Sequence, residues 1–126
     1  MIQSRQWAQE LLAWNRHHLR AEATLDEAAI GERFAEHFTV RANGREYQTD
    51  RPGYLAFLQE FRASIATIDY RVQEWVCEPG SAVLAMQASV TRLSGKAERF
   101  EAILLLRFDE RGLITLWQEL YLPSPQ

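Results

Sequence analysis

Glu119 is the residue in this sequence best placed for proton chemistry. It is a lone acid in the apolar and aromatic run Leu116-Trp117-Gln118-Glu119-Leu120-Tyr121. A carboxylate that faces apolar side chains is costly to ionise. Its pKa should rise towards neutrality, where a general acid or base works best. Gln87, Ser89 and Tyr121 are polar side chains in neighbouring apolar runs that could orient a bound molecule. His18 continues the helical stripe Trp7, Leu11 and Trp14, so it should turn towards the core or a pocket. An imidazole there could give or accept a proton. Each also has a structural role open to it. An inward Glu near a strand end pairs with Arg or caps a helix, a buried Gln is a satisfied amide, Tyr121 closes the end of a sheet, and His18 bonds to backbone. His17 should be solvated and His37 should close a helix. Three scattered histidines without ligand spacing give no metal signal. The single Cys77 reads as a buried strand residue. With no glycine-rich phosphate loop, Ser-His-Asp arrangement or CxxC pair, no cofactor is expected.

These residues must be positioned by strands. Residues 67–78, 82–93, 97–108 and 113–121 are rich in Val, Ile, Leu, Trp, Tyr and Phe. Pro79-Gly80-Ser81, Ser94-Gly95 and Asp109-Glu110-Arg111-Gly112 separate them with turn chemistry. Ile103-Leu104-Leu105-Leu106 does not alternate, so that strand should be covered on both sides. A four-residue loop at 109–112 sets Phe108 opposite Leu113, Leu104 opposite Trp117 and Ala102 opposite Glu119. A two-residue turn at Ser94-Gly95 sets Ser89 opposite Phe100 and Gln87 opposite Ala102. One face then carries Phe100, Leu104, Leu106, Phe108, Trp117 and Tyr121. Gln87, Ala102 and Glu119 form a row across it, and the small Ala102 leaves a hollow between two polar side chains. The other face carries Glu101, Ile103, Leu105, Arg107, Ile114, Leu116 and Leu120. It is aliphatic with interspersed charge, which suits a homodimer formed through the outer sheet face.

The first half supplies the cover for the inner face. Residues 4–21 have helical spacing. Thr24, with Glu27 three residues on, reads as a capping box that starts a second helix ending near Glu36 or His37. Asn43-Gly44 between Phe38–Ala42 and Arg45–Thr49 is a hairpin signal. Asp50 caps a third helix with Pro52 in its first turn and an apolar face of Tyr54, Leu55, Phe57, Leu58, Phe61 and Ile65. Segregated helices and an antiparallel sheet make an α+β domain. The 126 residues suffice for one domain, residues 1–126, with its own core. A 47% apolar and 25% charged composition is that of a globular protein. A net charge of −3 argues against a nucleic-acid binder. The N-terminus lacks a signal-peptide core, and no apolar run reaches the roughly 18 residues of a membrane span. The expected setting is cytoplasmic, with no membrane partner.

Three stretches carry a family resemblance: Phe34-Ala35-Glu36-His37-Phe38-Thr39-Val40, Tyr54-Leu55-Ala56-Phe57-Leu58, and Phe108-Asp109-Glu110-Arg111-Gly112-Leu113-Ile114. With this element order and length, the chain resembles the nuclear transport factor 2-like superfamily, in its SnoaL-like and ketosteroid isomerase-like branch. The resemblance implies a cone-shaped, cystatin-like α+β barrel, in which a curved antiparallel sheet wraps around helices and a pocket opens between them. Glu119 matches the acidic residue that SnoaL-like proteins often carry on the last strand, although Gln118 stands where the family usually has Trp. The position matching the catalytic Asp of ketosteroid isomerases is Ala42, which speaks against steroid isomerisation. The expected function is cofactor-free isomerase, cyclase or lyase chemistry on an apolar, carbonyl-bearing small molecule. Glu119 and His18 would be the proton carriers. Gln87, Ser89, Ala102, Leu104, Trp117, Tyr121, Trp14 and Phe100 would line the pocket. A non-catalytic ligand binder and a dimeric assembly domain remain the alternatives.

Overall fold

The computed structural model describes residues 3–125. Three helices and six strands follow one another as α1 (Gln3–His18), α2 (Glu27–Gly31), β1 (Phe34–Ala42), β2 (Arg45–Asp50), α3 (Arg51–Phe61), β3 (Ile65–Glu78), β4 (Ser81–Arg92), β5 (Ala97–Phe108) and β6 (Ile114–Pro123). The strands form one curved, unclosed sheet in the order β2-β1-β6-β5-β4-β3. This is the cone-shaped α+β fold expected. The sheet is mixed, because β1 runs parallel to β6 while the other neighbours are antiparallel. Among the described residues no helix is long and apolar enough to cross a membrane.

The hairpin and α3 form where local chemistry placed them. Asn43 and Gly44 take φ of 49° and 86°, the paired left-handed conformations of a type I′ turn. Gly44→Val puts a β-branched side chain at that φ and should cost about 1–3 kcal/mol, read as a lower midpoint in urea. An unchanged midpoint would show that the turn tolerates the strain. Asp50 caps α3 by accepting from the Gly53 amide at 2.9 Å, and Pro52 sits in the first turn.

The second helix differs from expectation. Its cap is Asp26, which accepts from the Ala29 amide at 2.8 Å, and it ends at Gly31. Phe34–His37 belongs to β1. Packing decides this. Phe34 is fully buried, with its ring 5.7 Å from Trp14, 5.0 Å from Phe38 and 4.9 Å from Tyr54.

Two turns set which side chains enter the cone. Between β4 and β5 the loop has three residues, Leu93-Ser94-Gly95. It is closed by Arg92 N to Lys96 O at 2.8 Å, with Gly95 at φ 90°. This differs by one residue from the two-residue turn expected at Ser94-Gly95, and a one-residue slip reverses every side chain of the strand. Leu84, Met86, Ala88 and Val90 therefore point inward, opposite Leu104, Ala102, Phe100 and Glu98. Between β5 and β6 the loop sets Phe108 opposite Ile114 and a bulge at Thr115 adds one more residue, so that Leu106 meets Trp117, Leu104 meets Glu119 and Ala102 meets Tyr121. That is two residues from the expected register, and an even shift keeps each side chain on its face. Ile114, expected outside, lies before the bulge, opposite Phe108, and is buried in the core.

Candidate functional site

Glu119 stands on the inner face of β6, between Leu104 of β5 and Ala42 of β1. Its backbone oxygen accepts from the Asn43 amide at 3.0 Å, which ties this stretch of strand to the hairpin turn. Among the described residues its carboxyl has no ion-pair partner. It sits where the packed cone gives way to the exposed end of β6 at Leu120, Tyr121 and Leu122. Burial pushes its pKa from 4.5 up to about 7. No cation offsets that desolvation, so the group is poised to hold or release a proton near neutral pH.

Two phenols, Tyr54 and Tyr70, feel the charge of this carboxyl, and a third phenol and an amide adjoin them. Tyr54 of α3 and Tyr70 of β3 are both held protonated, first by burial, and the Glu119 charge opposes ionisation of each. Tyr70 Oη accepts from Asn15 Nδ2 at 3.1 Å, and Asn15 is a buried polar residue of α1. Tyr47 of β2 lies opposite Val40 and also opposes ionisation of Tyr54. Burial raises its own pKa too. Four elements, α1, β2, α3 and β3, thus contribute neutral hydrogen-bonding groups to the region of one acid on β6. Sequence reasoning missed Asn15, Tyr47, Tyr54 and Tyr70 as site residues. The hairpin register was the available signal for Tyr47, since pairing around Asn43-Gly44 sets it beside the buried Val40.

The other expected site residues divide into three groups. Phe100, Ala102, Leu104, Trp117 and Tyr121 share the inner face with Glu119. Leu104 is fully buried, and Phe100 meets Tyr121 edge-on at 5.9 Å. Trp14 is a core residue whose Nε1 donates to Ala29 O at 3.1 Å, tying α1 to α2. Gln87 and Ser89 are on the outer face. Gln87 pairs across the ladder with Arg71 and Glu101, and Ser89 with Asp69 and Arg99. The three-residue turn at 93–95 put them there, so the expected row of Gln87, Ala102 and Glu119 does not form.

His18 does not join the site. Its Nδ1 lies 3.2 Å from Thr24 O, and its ring lies 4.6 Å from both Trp14, at a tilt, and His17, edge-on. Burial lowers its pKa, opposed by the Thr24 carbonyl, and its charged neighbours are His17, Glu32 and Arg62. The buried Arg62 guanidinium donates to His18 O at 3.1 Å and Arg20 O at 2.9 Å, fixing this loop as a structural corner.

Of two open hollows, one lies apart from the cluster and the other adjoins it through Tyr70. One, of about 530 Å³, is polar and bounded by His37, Thr39, Gln48, Asp50 and Thr115, where β1 and β6 part between Phe34 and Thr39. The other, of about 350 Å³, runs between α1 and β3 and includes Arg16, Tyr70 and Trp75. Neither is lined by Ala102, Leu104, Trp117, Tyr121 or Glu119, because Met86, Leu104 and Leu106 fill the depth of the cone. Among the described residues no three His, Cys, Asp or Glu side chains are grouped to hold a metal ion.

Comparison with known proteins agrees with this geometry at the level of the fold. A candidate SnoaL-like polyketide cyclase from Shewanella denitrificans OS-217 superposes with a TM-score of 0.77 at 14% identity, over 94% of this chain and 89% of that one. An LEH-like epoxide hydrolase from M. tuberculosis gives 0.73 at 9% identity, over 94% and 82%. An NTF2-like protein of unknown function from Exiguobacterium sp. 255-15 gives 0.69 at 14%, over 95% and 99%. No curated protein matches the chain. The profile of the SnoaL-like domain matches residues 13–117, and the chain belongs to the SnoaL-like domain family.

Proposed function

We propose that this chain performs cofactor-free acid–base chemistry, as an isomerase, cyclase or lyase, on an apolar, carbonyl-bearing small molecule, with Glu119 as the proton carrier. The observation that carries this reading is the Glu119 carboxyl itself, on the inner face of β6, without a cation among the described residues and with its pKa pushed up to about 7. A group with that pKa exchanges protons readily at physiological pH, whereas an ordinary surface Glu is fully ionised there. The position of Ala42 supports it. The resemblance set the catalytic acid of the isomerases at Ala42, and Ala42 is the β1 partner of Glu119. The acid of this chain therefore lies one strand away, on the same face. The ligand would reach Glu119 from the end of β6, where Tyr121 is exposed.

Deuterium uptake next to the carbonyl of apolar ketones, followed in heavy water, tests the reading without knowledge of the natural substrate. The protein should accelerate uptake, with a rate that follows a titration near pH 7. Uptake no faster than in buffer, across ketones of different size, would count against proton transfer to carbon.

The second proposed property is a homodimer built through the outer face of the sheet. Ile103, Leu120 and Val76 are 48%, 58% and 66% exposed, and Ile103 pairs directly with Leu120. Leu105, between Val83 and Gln118, links them, while Glu101 and Arg107 form a charged border. An aliphatic patch of this extent suits association more than solvation. Leu116 is already buried within the chain, so of the four residues Leu105, Ile103, Leu116 and Leu120 expected at the centre, Leu105, Ile103 and Leu120 remain. Leu105→Glu should turn a dimer into monomers or aggregates in sedimentation at micromolar concentration. A wild-type chain that sediments as a monomer would remove the case for this interface.

A further inference from the structure

Tyr47 holds a polar atom that the fold does not use. It faces inward from β2, opposite Val40, with its ring 6.1 Å from Phe57. Its hydroxyl is buried and makes no hydrogen bond with the described residues. A buried hydroxyl without a partner costs about 1–3 kcal/mol, and Phe would fill the same position without that cost. Such a group calls for an explanation in the function of the protein.

The surroundings say what would satisfy it. Tyr47 and Glu119 share the inner face of the sheet, Tyr47 opposite Val40 and Glu119 beside Ala42, two residues further along β1. Tyr54 stacks on Phe57 at 5.9 Å and 14°, and Phe57 stacks on Phe61 at 6.0 Å and 19°. Phe57 and Phe61 are 47% and 44% exposed, so this aromatic row leads from solvent to the Tyr47 ring. An apolar molecule lying along the row would gain by covering those rings. The Tyr47 phenol stays protonated across the working pH range, so towards such a molecule it can act as a donor.

We propose that Tyr47 Oη donates the hydrogen bond that holds the oxygen acceptor of an apolar ligand lying along Phe57 and Phe61, with Glu119 reaching the same ligand from β6. This rests on the reading of Glu119 given above and adds a binding residue to it. In proton abstraction next to a carbonyl, negative charge develops on the oxygen as Glu119 takes the proton from carbon. A donor aimed at that oxygen stabilises the charge as it forms.

The probe is Prodan, an apolar aryl ketone whose emission reports polarity and hydrogen bonding at its carbonyl. Its carbonyl-free counterpart, dimethylaminonaphthalene, serves as control. Tyr47→Phe should weaken Prodan binding about tenfold, the scale of one lost hydrogen bond. The emission of bound Prodan should move to shorter wavelength. The control should bind wild type and variant alike. The melting temperature of the free variant should equal or exceed that of the wild type, because the unsatisfied hydroxyl has gone. Equal Prodan affinity in wild type and variant, equal losses for both probes, or a lowered melting temperature would each overturn the proposal. If those results came with deuterium uptake that still depends on Glu119, only the role of Tyr47 would fall. Failure of the wild type to bind Prodan at all would overturn the proposal, and absent deuterium uptake would overturn the reading of Glu119 beneath it.

Discussion

Glu119→Gln should lower the rate of deuterium uptake into an apolar ketone by about 100-fold or more, the usual contribution of a positioned general acid or base. The substitution keeps the shape of the side chain and its place between Leu104 and Ala42, so binding of the ketone should change little. The loss should therefore fall on kcat rather than KM, the pattern expected when an interaction specific to the transition state is removed. His18→Gln should leave the rate near that of the wild type, because His18 lies with Thr24, Glu32 and Arg62 at the corner between α1 and α2. A Glu119→Gln chain with undiminished uptake would remove the proton carrier from the proposed chemistry. A binder without turnover would show modest affinity changes and no rate to lose.

The second large effect needs no ligand. The folded chain binds the Glu119 proton more tightly than the unfolded chain, since burial raises the pKa from 4.5 to about 7. The stability that the protonated carboxyl contributes is therefore fully present below pH 4.5 and is lost as the pH rises through about 7. A shift of that size corresponds to about 3 kcal/mol at full ionisation. Glu119→Gln carries no proton to lose. Its stability should exceed that of the wild type by an amount that grows through this window and levels off above it. His18, whose pKa is lowered, and Asp69, whose pKa is lowered mainly by its hydrogen bond from Arg16, titrate in both proteins and cancel in the difference. Denaturant midpoints of the two proteins, compared across the window, give the curve. A difference that does not change with pH would mean that Glu119 is solvated in the folded state.

What could be read from the sequence divides along physical lines. The Asn43-Gly44 hairpin, the Asp50 cap and the long strands have local causes, such as positive φ, a capping carboxylate and β-branched or aromatic runs, and these are visible in a few residues. The inward position of Glu119 was legible because the loop, which sets Phe108 opposite Ile114, and the Thr115 bulge each moved the β5–β6 pairing by one residue, and a shift of two preserves the face. The placement of Gln87 and Ser89 depended on whether Gly95 closes a two- or a three-residue loop, and one residue reverses the strand. The Arg92–Glu98 ion pair at 2.6 Å fixes the longer loop, and that contact exists only once both strands are aligned. The end of α2 was hidden for a similar reason, since Phe34 leaves a helical pattern to reach Trp14 and Tyr54. The cluster of Asn15, Tyr47, Tyr54 and Tyr70 was least legible. It is assembled from α1, β2, α3 and β3 around β6, and the parallel pairing of β1 with β6 that brings the hairpin beside Glu119 has no local sequence signal.

The central point is the ionisation of Glu119 in the folded chain. NMR of protein labelled at the glutamate side-chain carboxyl carbon follows it directly, with Glu119→Gln identifying the resonance by its disappearance. The signal should titrate with a midpoint near 7, well separated from the exposed glutamates. A midpoint near the ordinary 4.5 would show that the carboxyl is solvated or paired, and the assignment of proton transfer to Glu119 would fall.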